Sequence, residues 1–156
     1  MSITIRQPQL SEYPLLVDLW EASVRQSHEF LTNDDIAFYR PLLVTYMPMM
    51  EIYCTDDENG IAGFIGISDG LVQALFIKPD AIGKGHGKRL IGFAIEDKQI
   101  SRVDVNEQNI KACEFYERLG FRVIGRSEAD GAGKPYPILN MALNYELSAY
   151  PRPVAK

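Results

Sequence analysis

Basic charge is in short supply in this chain. Its 156 residues carry 16 Lys+Arg against 21 Asp+Glu, a formal net charge of −5. No basic field is present to displace counterions from a phosphate backbone, which argues against a nucleic-acid partner. The balance mildly favours cationic small molecules or basic peptides. Cysteine is also rare. Cys54 and Cys113 are the two present, too few for a disulfide scaffold. Two free buried thiols in a reducing compartment is the simpler reading, with a single bridge as the alternative. With no CxxC and only His28 and His86, there is no zinc-type cluster, and no metal is expected. Long apolar runs are missing too. The longest stretch, 61–67, contains Gly63 and Gly66 and is too short to span a bilayer. The start, MSITIRQPQL, lacks the basic and apolar regions of a signal peptide. A cytoplasmic protein with no membrane partner is the expectation.

What is there belongs to an ordinary globular protein: 46% hydrophobic and 24% charged residues. The length fits one domain, since domains run roughly 100–200 residues. That domain is expected over 1–147, followed by a loose tail, 148–156, broken up by Pro151 and Pro153. Ile3-Thr4-Ile5 alternates as a first strand. Ser11 is a candidate cap and Pro14 fits a first turn, before Leu15, Leu16, Leu19, Trp20 and Val24 recur at helical spacing. A loop follows over 26–33. A second helix carries Ile36, Tyr39, Leu42, Leu43, Tyr46 and Met47, with a kink or break expected at Pro41.

Strands are then expected at 51–55, 61–68 and 71–77, joined by a polar turn at 56–60 and by the hairpin signal Asp69-Gly70. A glycine-rich run at 83–87 leads into a third helix with Leu90, Ile91, Ala94 and Ile95. A short strand at 102–105 precedes a fourth helix, opened by Asn109 and closed by Gly120. Strands at 121–126 and 138–147 flank a Gly/Pro loop at 129–137. The expected class is α+β. A mostly antiparallel sheet, with one parallel right-handed β-α-β crossover at the glycine run, has helices on both faces.

The glycine run reads Ile77-Lys78-Pro79-Asp80-Ala81-Ile82-Gly83-Lys84-Gly85-His86-Gly87-Lys88-Arg89-Leu90. A strand ends, glycines alternate, and a helix begins. Backbone N–H groups without side-chain bulk can wrap an anion at a helix N-terminus, and Lys84 and Lys88 add positive charge. A phosphate or pyrophosphate ligand is implied. The plainer alternative is a turn that only lets strand and helix pack closely. A Walker A loop is excluded twice: its first glycine would fall at Ile82, and Arg89 stands where Ser or Thr is required. A Rossmann fingerprint is excluded because the spacing is G-x-G-x-G and the preceding strands form a hairpin.

The run resembles the cofactor motif of the GNAT superfamily of acyl-CoA-dependent N-acyltransferases: a strand ending V-x-P, two residues, then [RQ]-G-x-G-x-G. Downstream, Asn106-Glu107-Gln108-Asn109, Ala112, Phe115-Tyr116-Glu117-Arg118 and Leu119-Gly120-Phe121 look like the second signature of that family. A narrower likeness, to the small bacterial YjaB-type acetyltransferases, lies in Ser27-His28-Glu29-Phe30-Leu31 and Gly133-Lys134-Pro135-Tyr136-Pro137. Ile82 departs from the pattern, since it stands where the family usually has Arg or Gln.

The resemblance implies a GNAT-like fold and an N-acetyltransferase using acetyl-CoA, in which an amine attacks directly in a ternary complex. The backbone of Leu75, Phe76 and Ile77 would pair with the pantetheine arm, and one of their amides would polarise the acyl carbonyl. Gly83, Lys84, Gly85, His86, Gly87 and Lys88, after Ile82, would hold the pyrophosphate. Asn109 would hydrogen-bond the cofactor. Tyr116 would protonate the leaving thiolate, and seven residues place it on one helical face with Asn109. A base is also needed. His28, in the loop where this fold places acceptor-binding residues, is a candidate, with a surface or capping role as the alternative. Glu29 and Asp104, at a strand end, are the next candidates.

The His86 imidazole is expected to face solvent, Cys113 to be structural, and Asp56-Asp57-Glu58 to be a solvated turn. Tyr136 either closes over the acceptor or only packs. The acceptor is an amine of a small molecule, peptide or protein, and the enzyme a monomer or homodimer. The rival reading is a CoA-binding sensor with little or no catalysis.

Overall fold

The computed structural model describes residues 3–143. The expected tail, 148–156, and the end of the expected last strand, 144–147, lie outside the described residues. The chain divides into two compact units, Met1–Ile100 and Ser101–Lys156. The first contains β1 (Ile5–Arg6), α1 (Tyr13–Ser27), α2 (Asn33–Tyr46), β2 (Glu51–Asp57), β3 (Gly60–Ser68), β4 (Leu71–Ile77) and α3 (His86–Glu96). The second contains β5 (Arg102–Asn106), α4 (Ile110–Arg118), β6 (Phe121–Ser127) and β7 (Ile138–Leu143). The order of helices and strands along the chain is the expected one, and the class is mixed α+β.

In the first unit β1, β2, β3 and β4 pair antiparallel in sequence order. Asp69 (φ 55°) and Gly70 (φ 77°) both adopt left-handed backbone, which gives the hairpin between β3 and β4 the twist its strands require. Residues 62–67 of β3 are all buried, so both faces of this central strand are covered. On one side Leu16, Trp20 and Val24 of α1 and Ile36 of α2 pack in one cluster with Cys54, Phe64 and Ala74. The helix α3, with Leu90, Ile91 and Ala94 buried, packs against β2, β3 and β4.

Several local expectations need correcting. The first strand is Ile5–Arg6 rather than 3–5. Ser11 does not cap α1; it lies inside a 3-10 turn, Leu10–Glu12, whose start is held by the Glu12 carboxylate accepting from the Gln9 N–H at 2.9 Å. The helix α2 continues through Pro41, so of the kink or break expected there the break is absent. Thr32 and Asp35 form its capping box, each side chain accepting from the backbone N–H of the other at 3.0 Å. Residues 56 and 57, expected in a solvated polar turn, belong to β2 and are not merely solvated. Asp56 pairs with Arg6 at 2.6 Å and Asp57 with Lys78 at 2.9 Å.

In the second unit β7 lies between β5 and β6, antiparallel to both. The α4 boundaries are as expected. The Asn109 side chain accepts from the Ala112 N–H at 3.3 Å, and Gly120 (φ 102°) takes the left-handed position after the helix.

Candidate functional site

Past β4 the Lys78 N–H still bonds the Ala62 carbonyl, at 2.8 Å, before a 3-10 turn, Pro79–Ala81, turns the chain. Gly83 (φ 82°) and Gly85 (φ 96°) then adopt backbone that other residues rarely take. The first helical bond of α3 runs from the Arg89 N–H to the Gly85 carbonyl, at 3.0 Å. The amides before Arg89 therefore have no intrahelical acceptor, and the helix dipole adds positive potential there. A Cβ built on Gly83 would meet nothing within 4 Å, and one on Gly85 only Ile3 Cδ1 at 3.6 Å. Lys84 and Lys88 are both exposed. Free amides, bare glycines and two cations suit a pyrophosphate. Ile82 is 54% exposed at the start of this loop and contributes no polar group.

The His86 side chain overturns the expectation made for it. It is 5% exposed rather than solvent-facing, and its Nδ1 lies 2.9 Å from Oγ1 of the fully buried Thr55. The pairing of β2 with β3 shifts between Thr55 and Asp56. The partner was not legible in the glycine motif. Thr55 follows the apolar stretch Ile52-Tyr53-Cys54 in β2, and nothing in that stretch pointed to His86.

His28 is likewise not a surface residue. It is 6% exposed and ends α1 as its C-terminal cap, with its N–H donating to the Val24 carbonyl at 2.8 Å. Its ring leans on Phe30 (5.3 Å between centroids) and on Phe76 of β4 (6.4 Å). Its Nδ1 lies 2.7 Å from Ser27 Oγ. Burial pushes the imidazole pKa down from the ordinary 6.5 to about 4. Glu29 beside it is exposed. In the first unit the fold thus brings His28 against one of the β4 residues assigned to the pantetheine arm. In the sequence Ser27 stands out only as part of the stretch 27–31 that carries the narrower resemblance.

In the second unit Asn109, Cys113 and Tyr116 follow one another along α4 at helical spacing. Tyr116 is 5% exposed and stacks edge-on to Phe115 (5.2 Å) and Phe121 (5.5 Å). Burial raises its phenol above the ordinary value, so phenol and thiol are less closely matched than in free solution. Cys113 and Cys54 are both free and buried. The Cys113 thiol points at the Asn106 carbonyl, 3.6 Å away, and burial raises its pKa, which fits a structural residue. Asp104 sits in the middle of β5, not at its end. It lies directly opposite Asn140 on β7, whose Nδ2 donates to Asp104 Oδ1 at 2.7 Å.

Residues 25–143 match the family model described as an acetyltransferase (GNAT) domain. The chain belongs to the GNAT acetyltransferase family. It is 38% identical over 142 residues to the peptidyl-lysine N-acetyltransferase YjaB of Salmonella typhimurium, covering 90% of this chain and 98% of that protein. Among solved structures it resembles apo-YjaB from Escherichia coli, with a TM-score of 0.84 and 37% identity over 92% of this chain and 99% of that one. The PaiA N-acetyltransferase of Thermoplasma acidophilum, in complex with coenzyme A, shares the fold with a TM-score of 0.68. Its identity is 22%, over 90% of this chain and 98% of that one. This GNAT protein is therefore an N-acetyltransferase. Its family's acetyl donor is acetyl-CoA, and the α3 start is chemically suited to the donor's pyrophosphate. Where the family motif usually has Arg or Gln, this member presents an exposed Ile82.

Proposed function

We propose that this enzyme transfers the acetyl group of acetyl-CoA to the side-chain amine of lysine in a peptide or protein, by direct attack in a ternary complex. The observation that carries the donor is the start of α3, where left-handed Gly83 and Gly85 precede a run of unpaired amides. The acceptor rests on the 38% identical relative, named for peptidyl-lysine acetylation along nearly its whole length. Residues 1–147 are read as one catalytic domain, supported by a family match that runs through both units. A cytoplasmic enzyme, monomeric or homodimeric, agrees with the modest acidic charge.

In this reading the amides and lysines of 83–88 hold the pyrophosphate, and the backbone of Leu75, Phe76 and Ile77 holds the pantetheine arm. Asn109 orients the cofactor with the amide hydrogens that its capping role leaves free. Tyr116 delivers a proton to the departing sulfur. His28 accepts the proton from the attacking nitrogen. The neutral state that burial imposes on His28 keeps Nε2 able to accept at neutral pH, though as a weak base. The proton therefore passes as the N–C bond forms, when the nitrogen is most acidic. Glu29, exposed, and Asp104, already engaged by Asn140, are less well placed for this work.

The test is acetyl transfer to lysine peptides, N-terminal amines and polyamines, followed by thiol release and mass spectrometry. Lysine peptides should turn over with the highest kcat/KM. Preference for a polyamine would overturn the acceptor. Binding of acetyl-CoA with no turnover on any amine would favour a sensor.

A further inference from the structure

The hydroxyl of Ser27 has one proton and two neighbours. Its Oγ lies 2.9 Å from the carbonyl oxygen of Ser23, one turn back in α1, and 2.7 Å from Nδ1 of His28. A carbonyl oxygen only accepts, so the hydroxyl proton goes to Ser23, and an Oγ lone pair is left facing Nδ1. For that contact to be a hydrogen bond, Nδ1 must carry the ring proton. The hydrogen-bond network thus assigns the tautomer. Nε2 is then the bare acceptor of the neutral ring.

The rest of the residue is held equally firmly. The His28 N–H donates to Val24, its carbonyl accepts from the Leu31 N–H at 2.9 Å, and the ring leans on Phe30 and Phe76. No hydrogen bond among the described residues engages Nε2. No buried side-chain nitrogen or oxygen there lacks a partner, so Nε2 is an edge of the ring that meets solvent.

We propose that Ser27 is a positioning residue, which fixes His28 in the Nδ1–H tautomer so that Nε2 offers its lone pair to the acceptor amine. The proposal rests on the reading of His28 as the base. As the amine nitrogen bonds the acetyl carbon, the proton on that nitrogen moves to Nε2 and the C–S bond breaks. The thiolate takes the Tyr116 proton, the imidazolium gives its own to solvent, and the Tyr116 phenolate takes one back from solvent. Partners of ligating or catalytic imidazoles commonly set the tautomer in this way, and losing one costs roughly 10–100-fold in related settings.

Long-range nitrogen–proton correlation spectra of the full chain at pH 7 report which ring nitrogen of His28 is protonated. The wild type should show Nδ1–H. Ser27→Ala should move the ring toward Nε2–H and lower kcat roughly tenfold, with KM for acetyl-CoA unchanged. Ser27→Thr, which keeps a hydroxyl, should restore both. An Nε2–H wild type, or a Ser27→Ala ring that stays Nδ1–H, overturns the proposal whatever the activity. If the tautomer shifts as stated but neither Ser27→Ala nor His28→Gln lowers turnover, the base reading fails, and the proposed role of Ser27 fails with it.

Discussion

The phenol of Tyr116 gives up its proton less readily than an ordinary tyrosine, because its buried setting disfavours the phenolate. A thiol has an ordinary pKa of about 8.5, so the proton moves only as charge develops on the departing sulfur. Tyr116→Phe removes the hydroxyl and keeps the edge-on contacts with Phe115 and Phe121. If Tyr116 is the acid, kcat falls by about 10²–10⁴ while acetyl-CoA affinity and melting temperature barely move. A fall below tenfold makes it a core aromatic. At this scale the sequence was informative for side chains named by a motif and poor for their surroundings. The second signature pointed to Asn109 and Tyr116. The capping role of His28 was among the readings of the sequence, but nothing local showed that its ring would lean on Phe76, which is 48 residues away.

At the scale of elements, the junction of β4 and α3 was the most legible part, since glycine, proline and hairpin signals act through local backbone geometry. The strand bounds Leu71–Ile77 and the Asp69-Gly70 turn came out as expected. The inward turn of His86 did not, because it depends on Thr55 of β2. Replacing Thr55 by Val removes the hydroxyl partner of His86 at nearly constant volume. KM for acetyl-CoA should rise several-fold with kcat preserved, and Thr55→Ser should rescue it. Unchanged KM would mean that the pair only fills space. Glycine substitutions in the loop must be chosen with care. Gly85 has φ 96°, so a valine there strains the backbone even without ligand. Gly87 lies within α3, where a side chain is conformationally tolerated. Gly87→Val should therefore abolish the acetyl-CoA-induced rise in melting temperature with little change in the ligand-free value. Ile82→Arg should tighten coenzyme A, by no more than about 1.5–3 kcal/mol and less where water screens the contact. Equilibrium binding that stays the same would show that the amides and lysines already suffice.

For the molecule as a whole, the buried imidazole of His28 links stability to pH. The pKa of His28 is about 4 in the folded chain against an ordinary 6.5, so between these values the unfolded chain binds a proton that the folded chain does not. Its contribution is fully present above pH 6.5 and is lost as the pH falls toward 4, by about 3 kcal/mol in total. The carboxylates act lower. Glu12, held near 2 by Arg6 and by the Gln9 N–H, contributes stability that is lost only as the pH falls from about 4.5 toward 2. Two windows of acid destabilisation are therefore expected, one from imidazole and one from carboxylates. Urea unfolding at intervals from pH 7.5 to 3 should show the free energy already falling between pH 6.5 and 4.5. In His28→Gln, which has no titrating group at that site, the fall should begin only in the carboxylate range, whatever the variant's stability at pH 7.5. A wild type that is flat down to pH 5 would mean that the imidazole is solvated. The neutral Nε2 acceptor on which the proposed mechanism relies would then be half protonated near pH 6.5.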